Sequence, residues 1–240
     1  MLPLHHAPNL STKGIIALRE RNVKHEFPKT VLTRAFVEVT IHYMKIRAVI
    51  VDTETNALLS SPELFASQGR LASCAEIADS KRRLSSLGAE LALSYALYGE
   101  SLGVPRYSYA DNGRPVAEDG FISLSHSGRF AAAAVSDSPV GVDIEALRTV
   151  SPSAARRILC PAELKKADSE RFVLDRFVIK EAFLKMTGEG VWGGLDSVYE
   201  KEGRVFRRGV LKGFSKSFGT ESYALAVVSE APAEVELILL

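Results

Sequence analysis

The chain has 240 residues, of which 46% are hydrophobic and 25% are charged, and its formal net charge is +1. This composition is ordinary for a globular protein with enough apolar material for a core, and it excludes a highly charged disordered chain. The near-neutral charge predicts no long-range attraction to nucleic acid or to an anionic membrane, so any phosphate binding has to be local.

Residues 1–43 differ from the rest of the chain. They hold four of the five histidines, His5, His6, His25 and His42, and show no clean periodicity. We interpret them as an N-terminal extension outside the core; ordered elements packed on the core are the open alternative. The first residues lack a signal-peptide pattern and the apolar runs are too short for a bilayer span, which predicts a cytoplasmic protein.

The core is predicted to begin with a β-strand at Met44, where the run MKIRAVIVDTE is rich in β-branched residues. A long helix is predicted over 77–98, because apolar residues recur there at intervals of three and four. Short strands are predicted near 106–109, 121–124, 130–135 and 140–144, separated by turn signals such as Asn112-Gly113 and Ser127-Gly128.

The second half opens with two predicted helix starts, Ser151-Pro152 and Cys160-Pro161. A longer helix is predicted over 169–187 with Gly188 as its C-terminal stop, and later apolar runs predict strands. The order of elements therefore indicates a mixed α and β class. It also suggests two related lobes, 44–137 and 138–240, although the two halves are too dissimilar to be called a repeat.

Two acidic residues lie on one of the predicted strands. In Val140-Gly141-Val142-Asp143-Ile144-Glu145, the two acids are two residues apart and point to the same face, with Val142 and Ile144 on the other. Adjacent carboxylates repel each other unless a cation lies between them, and Mg²⁺ is well suited to that position. A solvated strand face is the alternative.

The long second helix and a strand end supply further candidates. Glu181 and Lys185 are neighbours on one helix face, which suits either a third metal ligand with a phosphate contact or a simple surface ion pair. Ser125 and His126 lie at a strand end, where hydroxyl and imidazole groups are able to donate to phosphate oxygens. Arg114, in a tight turn before proline, offers a rigid guanidinium; a solvated turn is the alternative.

In combination these motifs resemble a known family. The ordered series Gly-Arg-Pro at 113–115, Ser-His-Ser at 125–127, Gly-Val-Asp-Ile-Glu at 141–145 and Lys-Glu-Ala at 180–182 is similar to the phosphopantetheinyl transferase superfamily, surfactin-synthetase type. The resemblance covers about 44–229. It implies an α+β fold of two pseudo-symmetric α/β lobes, with the active site in the cleft between them.

The resemblance also implies an activity, that of the holo-[acyl-carrier-protein] synthase type. Such an enzyme transfers phosphopantetheine from coenzyme A, its co-substrate, to a serine of an apo acyl or peptidyl carrier protein, with Mg²⁺ as cofactor. The metal ligands would be Asp143, Glu145 and Glu181, and Glu181 is also the candidate general base. Contacts to the coenzyme's phosphates would come from Arg114, Ser125, His126 and Lys185, with a less defined role for Lys180.

Some features depart from the family pattern. Phe177 stands where many relatives have tryptophan, and residues 1–43 have no counterpart. The basic contacts to the 3′-phosphate are not cleanly placed: Lys81, Arg82 and Arg83 open the first long helix at about the right position, and we select Arg83.

Several points stay open from the sequence. A non-catalytic coenzyme A or carrier-binding module and a metal-dependent phosphohydrolase are the alternatives. The carrier, whether of fatty acid, polyketide or nonribosomal peptide synthesis, is not predicted. Val191 and Trp192 are candidates for contacting an apolar helix of the carrier, with lobe packing as the alternative for Trp192. Neither a nucleic-acid nor a membrane partner is expected, and a monomer is compatible with a chain that completes its own cleft.

Overall fold

The computed structural model describes residues 44–190 and 194–240, and the part from Met44 to Leu240 forms one compact unit. The predictions for residues 1–43, Val191 and Trp192 fall outside the described residues. Two β-sheets and a small hairpin are combined with five helices among the described residues, which confirms the mixed α and β class.

The first sheet has the strand order β11-β1-β5-β4. Its members are β1 (Met44–Asp52), β4 (Phe121–Ser127), β5 (Phe130–Ser136) and β11 (Ala233–Leu239). β11 runs parallel to β1, and the other neighbours are antiparallel. The last strand of the chain therefore pairs with the first, although the sequence boundary at 137/138 placed it in the second lobe. The two-lobe division stays a prediction.

The second sheet has the order β6-β10-β9-β8-β7, with antiparallel neighbours. It is formed by β6 (Val140–Ala146), β7 (Val198–Lys201), β8 (Arg204–Arg207), β9 (Val210–Gly219) and β10 (Tyr223–Ser229). In chain order β2 (Tyr107–Tyr109) and β3 (Pro115–Ala117) follow the first two α-helices and precede β4. They pair with each other as the separate hairpin.

Five α-helices surround the sheets: α1 (Gln68–Ala75), α2 (Ser80–Tyr98), α3 (Pro152–Ile158), α4 (Pro161–Leu164) and α5 (Glu170–Thr187). Local sequence explains their ends. Asp79 caps α2 by accepting hydrogen bonds from two backbone N–H groups. Ser169 caps α5 in the same way, and Gly188 ends α5 in the left-handed conformation, as the sequence predicted. Among the described residues, no helix is long and apolar enough to cross a membrane.

The core lies in three layers, because the central strands are buried on both faces. On β1, Ile46 and Ile50 pack against residues of β6 and β10, whereas Val49 packs against α2 on the opposite face. On β10, Leu225 faces the first sheet and Ala226 faces α5. The two sheets thus pack face to face, and each is covered on its outer side by one long helix.

Serine hydroxyls join the edges of the two sheets at β4 and β6. Ser123 Oγ accepts a hydrogen bond of 3.0 Å from the Val142 amide, and Ser125 Oγ accepts one of 3.3 Å from the Ile144 amide. These bonds satisfy buried backbone donors on β6 that have no strand partner on that side. They also fix the Ser-His-Ser segment beside the acidic strand.

Candidate active site

The acidic face of β6 behaves as its alternation predicted. Val142 and Ile144 point into the core between the sheets, while Asp143 and Glu145 line a cavity on the other side. Asp143 is 5% exposed, so its charge is largely removed from water. A carboxylate in that position requires compensating partners.

Helix α5 brings Glu181 and Lys185 to the same cavity. The helix lies against β6 at Gly141, where an added Cβ would be only 1.8 Å from the Ala182 carbonyl oxygen. Because any larger residue would push the helix away, Gly141 sets the distance between the acids of the strand and those of the helix. This close approach explains the glycine that precedes the Asp-Ile-Glu motif.

Lys185 is the main positive charge next to Asp143. Its Nζ donates to Asp143 Oδ1 at 2.7 Å and to the carbonyl oxygens of Val142 at 3.1 Å and Leu124 at 3.2 Å. Ser125 Oγ donates to the same Asp143 oxygen at 2.7 Å. Lys185 is therefore held by three acceptors, and one carboxylate oxygen receives two donors.

Two carboxylate oxygens of the site are buried and have no hydrogen-bond partner among the described residues, namely Asp143 Oδ2 and Glu181 Oε1. The pKa of Glu181 is raised from 4.5 to about 7, chiefly by burial and then by the charges of Asp143 and Glu145, with Lys185 acting in the opposite direction. The Glu181 carboxyl is therefore poised to exchange a proton near neutral pH.

The donor chemistry of the three acids suits a hard divalent cation, since carboxylate oxygens are the ligands that Mg²⁺ takes and two of them lack a partner. Within the described ranges, however, no group of three His, Cys, Asp or Glu side chains is arranged closely enough to hold a metal ion. In the conformation described, Lys185 rather than a ligand cluster balances the charge of Asp143.

The Ser-His-Ser segment forms another wall of the cavity. His126 lies beside Ser85, with 3.5 Å between Nδ1 and the hydroxyl oxygen. The pKa of His126 is lowered, first by partial burial and then by the positive charges of Lys185, Arg82 and Arg70. Positively charged side chains gathered on this side of the cavity favour the binding of an anion.

The cavity itself has a volume of about 350 Å³. Six of the predicted residues line it: Ser125, His126, Asp143, Glu145, Glu181 and Lys185. Phe177 lines it too, as do Gly113 and Pro115 on either side of Arg114. Two other cavities, of about 620 and 370 Å³, contain none of the predicted residues. We therefore take the smaller acidic cavity as the candidate site.

Arg114 is placed next to the cavity by its turn. The Asn112 side chain donates to the Gly188 carbonyl oxygen at 2.8 Å, which ties the hairpin to the end of α5. The Arg114 guanidinium lies beside Gly188, where an added Cβ would be 3.3 Å from Nη1. The side chain itself does not line the cavity as described.

Two predicted coenzyme contacts are not brought to the cavity. The Arg83 guanidinium donates to the Ile77 carbonyl oxygen, through Nη2 at 2.7 Å and Nε at 3.0 Å. Lys180 is 1% exposed, and its Nζ donates to Glu163 Oε2 at 2.6 Å and to the Ile158 carbonyl oxygen at 2.8 Å. Both cations are engaged in holding neighbouring segments.

Two other arginines lie at or near the cavity. Arg70 of α1 lines the cavity, and Arg82, one residue before Arg83, is close enough to lower the pKa of His126. Arg82 belongs to the basic run that the sequence singled out, and Arg83 stays a prediction as the 3′-phosphate contact. Arg70 stands alone in a short helix and had no sequence signal.

Comparison with known proteins adds an independent finding. Residues 139–228 match the family model described as the 4′-phosphopantetheinyl transferase superfamily. The 4′-phosphopantetheinyl transferase psf-1 of Bacillus pumilus is 36% identical over 95 residues, which are 36% of this chain and 41% of that protein. The 4′-phosphopantetheinyl transferase Sfp of Bacillus subtilis strain 168 is 30% identical over 101 residues, 38% of this chain and 45% of that protein.

The matched stretch contains both acidic motifs, the one on β6 and the one on α5. The chain spans 41–50% of the length of the curated relatives that it matches. The resemblance seen in the sequence, to phosphopantetheinyl transferases of the surfactin-synthetase type, is confirmed by these matches.

Proposed function

We propose that the chain is a 4′-phosphopantetheinyl transferase of the superfamily that its residues 139–228 match, and that it transfers 4′-phosphopantetheine from coenzyme A to a carrier protein. The acceptor is a serine of an apo acyl or peptidyl carrier, and the products are the holo carrier and 3′,5′-adenosine bisphosphate. The proposal includes dependence on Mg²⁺ and a cytoplasmic location.

One observation supports this reaction most strongly: acids and cations face each other across a single cavity. Asp143, Glu145 and Glu181 line it together with Lys185 and Arg70. Transfer of a phosphoryl group requires that negative charge be neutralised and that the reactants be held in line, more than it requires covalent participation of the protein. A cavity containing both signs of charge meets the first of these demands.

The three carboxylates are the residues that would hold Mg²⁺, and the metal, when bound, neutralises phosphate oxygens. The other side chains of the cavity supply positive charge and hydrogen-bond donors. His126 would donate to the coenzyme's phosphates, Lys185 would place its positive charge beside them, and the Ser125 hydroxyl orients Asp143. Binding of a cation would also provide a partner for Asp143 Oδ2 and Glu181 Oε1.

The carrier serine has to lose its proton as it attacks the phosphorus atom. Glu181 is our candidate for the general base, because its pKa of about 7 lies near the operating pH of a cytoplasmic enzyme. The proton would pass from the serine hydroxyl to the carboxylate, directly or through a water molecule. If Glu181→Gln kept a near-normal transfer rate, this assignment would be wrong.

The decisive experiment incubates the full chain with coenzyme A, Mg²⁺ and a panel of apo carriers from fatty acid, polyketide and nonribosomal peptide systems. A mass increase of one phosphopantetheine on a carrier supports the transferase. Coenzyme cleavage without carrier modification would indicate a phosphohydrolase, and coenzyme binding without turnover would indicate a non-catalytic module. A reaction in EDTA is the control for the metal.

A further inference from the structure

A buried carboxylate in the middle of α2 has no role in the chemistry described so far. Glu90 is 1% exposed, and its Oε1 accepts hydrogen bonds from Arg70 Nε at 2.6 Å and from the Tyr107 hydroxyl at 2.5 Å. Removing a carboxylate from water carries a desolvation cost, which the two hydrogen bonds offset. Even so, a hydrophobic residue of similar volume often stabilises a fold as well as a buried ion pair does. The placement of Glu90 therefore calls for a reason beyond packing.

The partner of Glu90 is the arginine that lines the candidate active site. Glu90 holds Arg70 through Nε, and the Ser86 hydroxyl accepts from Arg70 Nη2 at 2.9 Å. The third nitrogen, Nη1, makes no hydrogen bond within residues 44–190 and 194–240. One end of the guanidinium is thus still available on a side chain that is otherwise fixed and only 23% exposed.

Arg70 lies among the cations of the cavity, in a position to bind an anion. It lies near enough to His126 to affect its ionisation, so it belongs to the cationic side of the cavity together with Lys185. A free arginine side chain loses considerable conformational entropy when it binds an anion. An arginine that is already fixed by a buried carboxylate loses much less, and it presents its remaining donors in a defined direction.

We propose that Glu90 is a positioning residue of the active site, which fixes Arg70 so that its free Nη1 donates to an anionic group of the bound coenzyme. This inference rests on the proposed function. Glu90 acts only through Arg70 and does not touch the substrate. Its contribution is to the affinity for coenzyme A, whereas the rate of the chemical step depends on the acids and on Lys185.

The test compares Glu90→Gln, Arg70→Ala and the double variant with the unaltered chain, by calorimetric titration with coenzyme A and by transfer kinetics. We expect each single change to raise the Kd and KM for coenzyme A about five- to thirty-fold, with kcat within about two-fold of the unaltered value. The double variant should be no worse than Arg70→Ala, because Glu90 acts through Arg70.

The matched control is Glu163→Gln, which removes another buried, ion-paired carboxylate that does not line the cavity. It should destabilise the fold without changing the KM for coenzyme A. Circular dichroism verifies folding, and Glu90→Asp, which keeps the charge but shortens its reach, replaces Glu90→Gln if the latter does not fold; it too should raise the KM.

Two results overturn the inference and are distinguishable from each other. If the unaltered chain binds coenzyme A but Glu90→Gln and Glu90→Asp bind it equally well, Glu90 is only structural. If the two single losses add in the double variant, Glu90 does not act through Arg70. Failure of the unaltered chain to bind coenzyme A would instead contradict the proposed function itself.

Discussion

The raised pKa of Glu181 makes a prediction about stability that does not depend on any substrate. In the unfolded chain this carboxyl ionises near its ordinary value of 4.5, whereas in the folded protein it ionises at about 7. Below pH 4.5 the residue is protonated in both states and carries no penalty. Between pH 4.5 and 7 the unfolded chain gives up this proton while the folded protein keeps it, so stability falls, and the loss is complete once the buried carboxyl ionises above its pKa of about 7.

The size of the effect follows from the difference between the two values. At roughly 1.4 kcal/mol per pKa unit, Glu181 lowers the free energy of unfolding by roughly 3 kcal/mol above pH 7. Glutamine at this position stays neutral and avoids the penalty. We therefore expect the stability difference between Glu181→Gln and the unaltered chain to grow by about 2–3 kcal/mol between pH 4.5 and pH 8, in favour of the variant.

Urea unfolding followed by far-ultraviolet circular dichroism, in EDTA and at several pH values between 4.5 and 8, measures this difference directly. The matched control is Glu221→Gln, an exposed acid in the turn between β9 and β10, for which no such trend is expected. A stability difference for Glu181→Gln that stays flat with pH would refute the reasoning. So would an equal trend in the Glu221 variant.

Three other changes have expected outcomes in the same unfolding assay. Gly141→Ala should lower the free energy of unfolding by about 3 kcal/mol or more, or prevent folding, because its Cβ would overlap the backbone of α5. Gly69→Ala is the control: no atom lies within 4 Å of the added Cβ, so the change should be neutral or slightly stabilising. Lys180→Met should cost about 3–5 kcal/mol by leaving Glu163 buried without its cation, and an unchanged stability would contradict the ion pair described here. Ser125→Ala should cost about 1–3 kcal/mol, since the Ile144 amide and Asp143 both lose a partner, and a loss below about 0.5 kcal/mol would argue against the join between the sheets.

Local sequence signals predicted helix ends and strand faces well, because these depend on residues within the same helix or strand. The strand at Met44, the helix start at Ser151 and the stop at Gly188 all occur as expected. The alternation of β6 placed Asp143 and Glu145 on one face for the same reason. In each case the information lies within a few residues of the position concerned.

Features that depend on distant partners were not predictable in this way. The parallel pairing of β11 with β1 joins the two ends of the described chain, and no local pattern encodes it. Lys180 was assigned to the coenzyme, with a less defined role, by the family resemblance. In the structure it is buried against Glu163, seventeen positions earlier on a different helix. Arg70 lies at the site with its guanidinium hydrogen-bonded to Glu90, twenty positions later on α2.

The proposed transfer reaction is tested most directly by the intact mass of an apo carrier protein after incubation with this chain, coenzyme A and Mg²⁺. We expect the carrier to gain the mass of one phosphopantetheine and 3′,5′-adenosine bisphosphate to be released in equal amount, and we expect Asp143→Asn to abolish both. An unmodified carrier throughout the panel, from a folded chain that binds coenzyme A, would contradict it.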